Sequence, residues 1–141
     1  RIASCFGSQI DRRTIDALNN DDQFNSINMK DQLQLAVQEC ILEKAGPLYQ
    51  FTHDLVQQAV YDSIPAIERK RMHRAIGMAL LRFAHDNGAI HLLAVDQINI
   101  FAKDTHLSPQ ERAQFAAANA TALDVAYLSL LAGFAVSPSQ A

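Results

Sequence analysis

The sequence predicts a mainly α chain: a winged-helix-like unit with a short β-hairpin over residues 1–64, then an antiparallel helical array over residues 65–141. Three observations predict it. Apolar residues recur at three- and four-residue spacing through most of the chain, which gathers them on one face of successive helices. The stretch from Ile41 to Phe51 departs from that period, and its β-formers flank the turn cluster Lys44-Ala45-Gly46-Pro47. Beyond it, helical stretches follow one another through short loops, the raw material of a helical solenoid. Aromatic residues make up only 7% of the 141 residues and Trp is absent, so the core is expected to consist of closely packed helices.

Each element follows from a local signal. Ile2 to Phe6 reads as the tail of a helix stopped near Gly7. Asp11 is a good N-cap for a second helix carrying Ile15 and Leu18, which the polar run Asn19-Asn20-Asp21-Asp22 ends. A third helix after Ser26 carries Met29, Leu33, Ala36, Val37 and Cys40. The hairpin strands Ile41–Glu43 and Leu48–Phe51 follow, then a short helix from Asp54 to Asp62. Pro65 suits the first turn of the next helix, whose apolar face is Met72, Ile76, Ala79, Leu80 and Phe83 and which Asn87-Gly88 closes. A further helix spans about Ile90 to Ala102. Ser108-Pro109-Gln110-Glu111 forms a capping box for an Ala-rich stretch to about Ala132 that is expected to break into two helices.

Composition narrows the function classes. A net charge of −3 speaks against a polyanion as default partner. No stretch looks like the ~20 consecutive apolar residues of a membrane span, and no secretory leader is visible. Cys5 and Cys40, each among apolar residues, read as buried thiols of a cytoplasmic protein. The start at Arg1 and the tail Ser137-Pro138-Ser139-Gln140-Ala141 read as the edges of a piece of a longer protein.

Motifs of self-contained catalysis are missing from the sequence. The glycines at 7, 46, 77, 88 and 133 are isolated, so no phosphate-cradling loop is present. His53, His73, His85, His91 and His106 do not fall at metal-ligand spacing and read as solvent or boundary residues. The run Glu68-Arg69-Lys70-Arg71-Met72-His73-Arg74 reads as a solvated helix face. A DNA-reading role would need cations on the third helix, which instead offers Lys30 against Asp31 and Glu39, with Gln32, Gln34 and Gln38. His53-Asp54 falls where the last strand turns into a helix. Two roles stay open for His53: donating to a phosphate oxygen, or packing and satisfying backbone groups at the junction. Asp54 is positioned to cap the helix that follows.

The ordered run Phe51-Thr52-His53-Asp54-Leu55-Val56-Gln57-Gln58-Ala59-Val60-Tyr61, then Ile64-Pro65, Glu68-Arg69-Lys70 and His73-Arg74-Ala75-Ile76-Gly77, resembles a segment of the STAND-type AAA ATPase modules. These modules occur in multidomain serine/threonine kinases, hybrid histidine kinases and cyclase-linked regulators. Leu93 to Asn99, and Glu111-Arg112 with Ala117 and Asn119, resemble the helices that follow in that family. The resemblance implies a winged helix leading into a tetratricopeptide-like array, downstream of a P-loop core that holds ATP or ADP with Mg. It implies that His53 contacts the β-phosphate of ADP, with Thr52 standing where immune relatives carry Met. The function so implied is a non-catalytic regulatory fragment of a signalling ATPase, the parent being linked to a protein kinase. Its partners would be its own nucleotide-binding core, effector domains, and other proteins through the helical array. The alternative is a winged-helix transcriptional regulator that binds DNA.

Overall fold

The computed structural model describes residues 1–135; the Ser137–Ala141 tail lies outside them. The chain is mainly helical, with a small antiparallel sheet of three strands in the order β1-β3-β2. A 3-10 helix (Ile2–Phe6) leads into β1 (Gln9–Asp11), α1 (Arg12–Asn19) and α2 (Met29–Gln38). The hairpin β2 (Leu42–Ala45) and β3 (Leu48–Phe51) precedes α3 (Asp54–Asp62), α4 (Ala66–Phe83), α5 (Gly88–Ala102) and α6 (Pro109–Ala135).

The sheet differs from the sequence expectation by one strand. Just ahead of the helix expected to start at Asp11, Gln9, Ile10 and Asp11 pair with Gln50, Tyr49 and Leu48. Three residues are too few to display an alternating pattern, and their partner lies some forty residues away. Asp11 still caps α1 as expected, its carboxylate accepting from the Thr14 amide at 2.7 Å. The hairpin turn is tighter than the four-residue cluster suggested, because Lys44 and Ala45 are already in β2. Gly46 at φ 60° followed by Pro47, whose ring keeps φ negative, makes this a type II′ turn.

α2 ends in a Schellman motif that the helical period hides. The Ile41 amide bonds the Ala36 carbonyl at 2.9 Å and the Cys40 amide bonds that of Val37 at 3.1 Å. Cys40 therefore sits at φ 55°, outside the helix and exposed, and not in the core as its apolar neighbours suggested. Cys5 is buried as expected.

A single apolar cluster runs from Cys5, Ile10 and Leu18 through Leu42 and Phe51 to Ile76, Leu80 and Ala94. The packing is thus continuous across residues 64 and 65. α4 and α5 form its spine, and Gly77 sets their separation. A β-carbon there would meet the Ile98 Cγ1 at 2.7 Å and the Ala94 carbonyl oxygen at 3.0 Å. Asn87 does not close α4, which stops at Phe83; it caps α5, its side-chain oxygen accepting from the Ile90 amide at 3.2 Å. Phe83, expected on the apolar face, is 38% exposed.

α6 is one helix, not two. Its capping box is reciprocal: the Ser108 amide bonds Glu111 at 3.0 Å and the Glu111 amide bonds the Ser108 hydroxyl at 3.2 Å. Without a break, Pro109–Gly133 is long and apolar enough to cross a membrane by length and composition, contrary to the sequence expectation. Core helices of soluble proteins meet the same test. Here Phe115, Ala118 and Ala122 are buried, while Leu123, Tyr127, Leu128 and Leu130 are exposed.

Two substitutions test these packing statements by denaturant unfolding. Gly77→Ala is expected to destabilise by about 1–3 kcal/mol, because overpacking against backbone outweighs the ~1 kcal/mol that Ala gains in helix propensity. Cys40→Gly is expected to stabilise by roughly 0.5–1 kcal/mol by relieving the left-handed strain at a position where Gly is preferred.

Candidate functional site

α3 stands on the surface with no buried residue, joined to the sheet at one end and to α4 at the other. Its N-terminal junction is rigidly held. Phe51 is buried at the end of β3. The Thr52 hydroxyl donates to the Cys40 carbonyl at 3.1 Å. His53 occupies the N-cap in an extended conformation, and its carbonyl accepts from the Val56 and Gln57 amides at 3.0 and 3.2 Å. Its side chain makes no capping bond and is exposed. Asp54 is the first helical residue and not the cap; as an acid in the first turn it complements the helix dipole. Leu55 beside it is 83% exposed.

Gln57, Gln58 and Tyr61 of this run have partners within the chain. The Gln57 amide group donates to the Ser4 carbonyl at 2.7 Å and that of Gln58 to Asp62 at 2.8 Å. Tyr61 contacts His73 at 2.8 Å. Ile64 and Ile76 are fully buried, and Gly77 lies against α5. Among the described residues the side chains of His53, Asp54 and Leu55, like that of Glu68 on α4, have no hydrogen bond within the chain and are exposed; the first three sit together at the tip of α3.

His73 corrects the sequence reading most sharply. Expected among solvent or boundary histidines, it is only 2% exposed. Its Nδ1 lies 2.7 Å from the Gln97 side-chain oxygen, an acceptor, so Nδ1 carries the proton. Nε2 then accepts from the Tyr61 hydroxyl. Gln97 spends its own N–H on the Cys5 carbonyl at 3.0 Å. A neutral imidazole thus links α3, α4, α5 and the 3-10 helix. Burial pushes its pKa below the usual 6.5, the Gln97 bond opposes that shift, and the Arg69 charge adds to it. Burial also pushes the Cys5 thiol up to about 11, leaving it neutral and unreactive. The charge pattern around His73 gave no warning, since its partners come from other helices.

The basic run of α4 is not simply solvated. Arg69 bonds Asp62 at 2.9 Å and lies over the Tyr61 ring at 4.9 Å. Lys70 donates to the Lys103 carbonyl at 3.1 Å, just past the end of α5. Arg74 meets Glu111 at 3.2 Å. The backbone amide of Ser108, then its hydroxyl and Arg74, hold the Glu111 carboxyl below its usual range. Near the other end of α4, Arg82 reaches the buried Asp21 at 2.7 Å.

On α2, Lys30 is bonded to Asp16 at 3.0 Å, and Arg12 approaches the same carboxylate at 3.8 Å. A cleft of about 570 Å³ lies between α2, the 3-10 helix and the sheet, walled by Ile10, Ile15, Leu33, Leu42 and Phe51. Its lining is mainly apolar, with Ser26, Asn28, Gln32 and the charged Arg1 and Glu39 among it. Among the described residues no group of three or more His, Cys, Asp or Glu side chains gathers to hold a metal ion. Comparison with family models, curated proteins and solved structures returns no match to this chain.

The buried network is open to a direct test. Gln97→Leu leaves the His73 Nδ1–H and the Cys5 carbonyl unpaired, and is expected to cost about 2–4 kcal/mol in urea unfolding.

Proposed function

We propose that the chain is a non-catalytic regulatory module of a signalling ATPase, in which His53 reads nucleotide bound to a core elsewhere in the parent protein. One observation carries the reading. Within the run that resembles the STAND modules, Phe51, Tyr61, Ile64, His73, Ile76 and Gly77 have evident packing or hydrogen-bonding roles, and His53 and Asp54 have none. An exposed His at an N-cap also forgoes the capping bond that Ser, Thr, Asp or Asn would make. The position thus gives up local stability without a return inside the chain.

The chemistry fits a single phosphate contact and not a complete nucleotide site. An exposed imidazole on a rigid junction can donate to a phosphate oxygen, and more strongly when protonated. Asp54 next to it is acidic, and among the described residues no metal-holding cluster exists. Mg and the remaining contacts to ATP or ADP belong in this reading to the P-loop core. The order of a 3-10 helix, β1, α1, α2 and a β2–β3 hairpin, with β1 joined to β3, supports assigning the first part to a winged helix. The antiparallel α4, α5 and α6 support the start of a tetratricopeptide-like array that meets effector domains or other proteins. Reading of duplex DNA is disfavoured, because Asp16 already engages Lys30 and Arg12 on the face that α2 would present.

The test uses His53→Ser in the full-length parent. ADP affinity is expected to fall tenfold or more, since a hydrogen bond to a charged group is worth about 1.5–3 kcal/mol. Folding stability should hold or rise slightly, by up to ~1 kcal/mol, because Ser caps a helix well. Unchanged ADP retention together with unchanged basal kinase or ATPase output would sink the reading.

A further inference from the structure

α3 is lightly anchored to the main core: Val56, Val60 and Tyr61 pack against it part-buried, Gln57 bonds the Ser4 carbonyl and Arg69 bonds Asp62. No residue of α3 is buried. Tyr61 ties it inward, through the hydroxyl bonded to His73 at 2.8 Å. Helices with few buried contacts open first, with free energies well below that of global unfolding.

With Nδ1–H given to Gln97, Nε2 of the neutral imidazole accepts from the Tyr61 hydroxyl. A proton on Nε2 reverses that bond, so that Nε2–H donates to the Tyr61 oxygen and the phenolic O–H loses its acceptor, and it puts a cation in a site only 2% exposed. The groups facing it supply no compensating charge. α3 contributes the Tyr61 phenol, α5 the neutral Gln97, and the 3-10 helix the Cys5 thiol, which burial keeps protonated. α4 contributes Arg69, a second cation, and the carboxylate of Asp62 is already bonded to it. Withdrawal of Tyr61 would let water reach and solvate the imidazolium. Proton uptake and detachment of α3 are therefore coupled.

We propose that the Tyr61–His73–Gln97 chain is a proton-sensitive latch, closed on α3 while His73 is neutral and released when the imidazole takes up a proton. The direction follows from linkage. The open state binds the proton more readily than the closed state, so closure is fully favoured above the ordinary imidazole range. It weakens as pH falls through the interval between the open-state and closed-state values. The latch does not depend on the nucleotide reading, since it requires only residues of this chain.

Hydrogen exchange of the intact chain, corrected for the intrinsic pH dependence of exchange, tests it. Protection of the amides of residues 54–62 is expected to fall as pH drops below about 6.5, by at most about tenfold per pH unit, the limit for one linked proton. Amides in the middle of α4 should keep their protection. His73→Gln can keep both hydrogen bonds without titrating, and should abolish the pH dependence in α3. A pH-independent wild type, or a His73→Gln chain with the wild-type slope, overturns the proposal. Should that variant fail to fold, nitrogen NMR of wild-type His73 decides. An Nδ1–H tautomer that titrates below 6.5 supports the latch, and an Nε2–H tautomer or titration at or above 6.5 overturns it.

Discussion

The structure depends on a histidine buried in its neutral form. An imidazole can enter a core only if both ring nitrogens find partners, because each unpaired polar group there costs about 1–3 kcal/mol. His73 meets that condition with Tyr61 on one side and Gln97 on the other, and Gln97 passes the chain on to the Cys5 carbonyl. Four elements, from the N-terminal 3-10 helix to α5, are thereby held to a single geometry. Apolar contact alone would be less selective, since hydrophobic packing has no preferred direction while hydrogen bonds do.

The close passage of α4 over α5 makes that geometry reachable. Gly77 lets the helices approach until Ile98 and the Ala94 carbonyl fill the space a side chain would take. His73, one turn earlier on α4, then falls within hydrogen-bond distance of Gln97. Around this spine the charged residues of α4 act as ties: Arg69 to α3, Lys70 to the end of α5, Arg74 to α6 and Arg82 to the loop after α1. The exposed ion pairs add little stability individually, since water screens them. The Arg82–Asp21 pair differs, because Asp21 is only 4% exposed and would be left uncompensated without it.

This arrangement separates the residues that make the fold from those left over. Tyr61, His73, Ile76 and Gly77 have structural work that would be needed in any protein built on this helix pair. His53 has none, which is why the functional reading rests on it and not on the more densely patterned residues around it. Its position also gives it reach: it sits at one end of a lightly anchored helix whose other end carries Tyr61.

Features set by neighbours in sequence were legible before the fold was known. Asp11 as a cap, the Ser108–Glu111 box, the β2–β3 hairpin and the limits of α3 each arise from contacts within a few residues, so residue type and spacing suffice. Asn87 and Cys40 were misjudged although their signals are local. Asn87 caps the following helix as readily as it ends the preceding one, and Cys40 occupies a position where Gly is usual. Other features belong to the tertiary structure alone. The pairing of β1 with β3, the burial of His73 and the closeness of α4 to α5 need partners from distant parts of the chain. By itself the sequence determined the order of the helices and the hairpin, the limits of α3 and that His53 stands at a strand–helix junction. Only tertiary packing decided that His73 lies inside and His53 outside, because a histidine is buried where distant groups satisfy both of its nitrogens, and no local pattern specifies those groups.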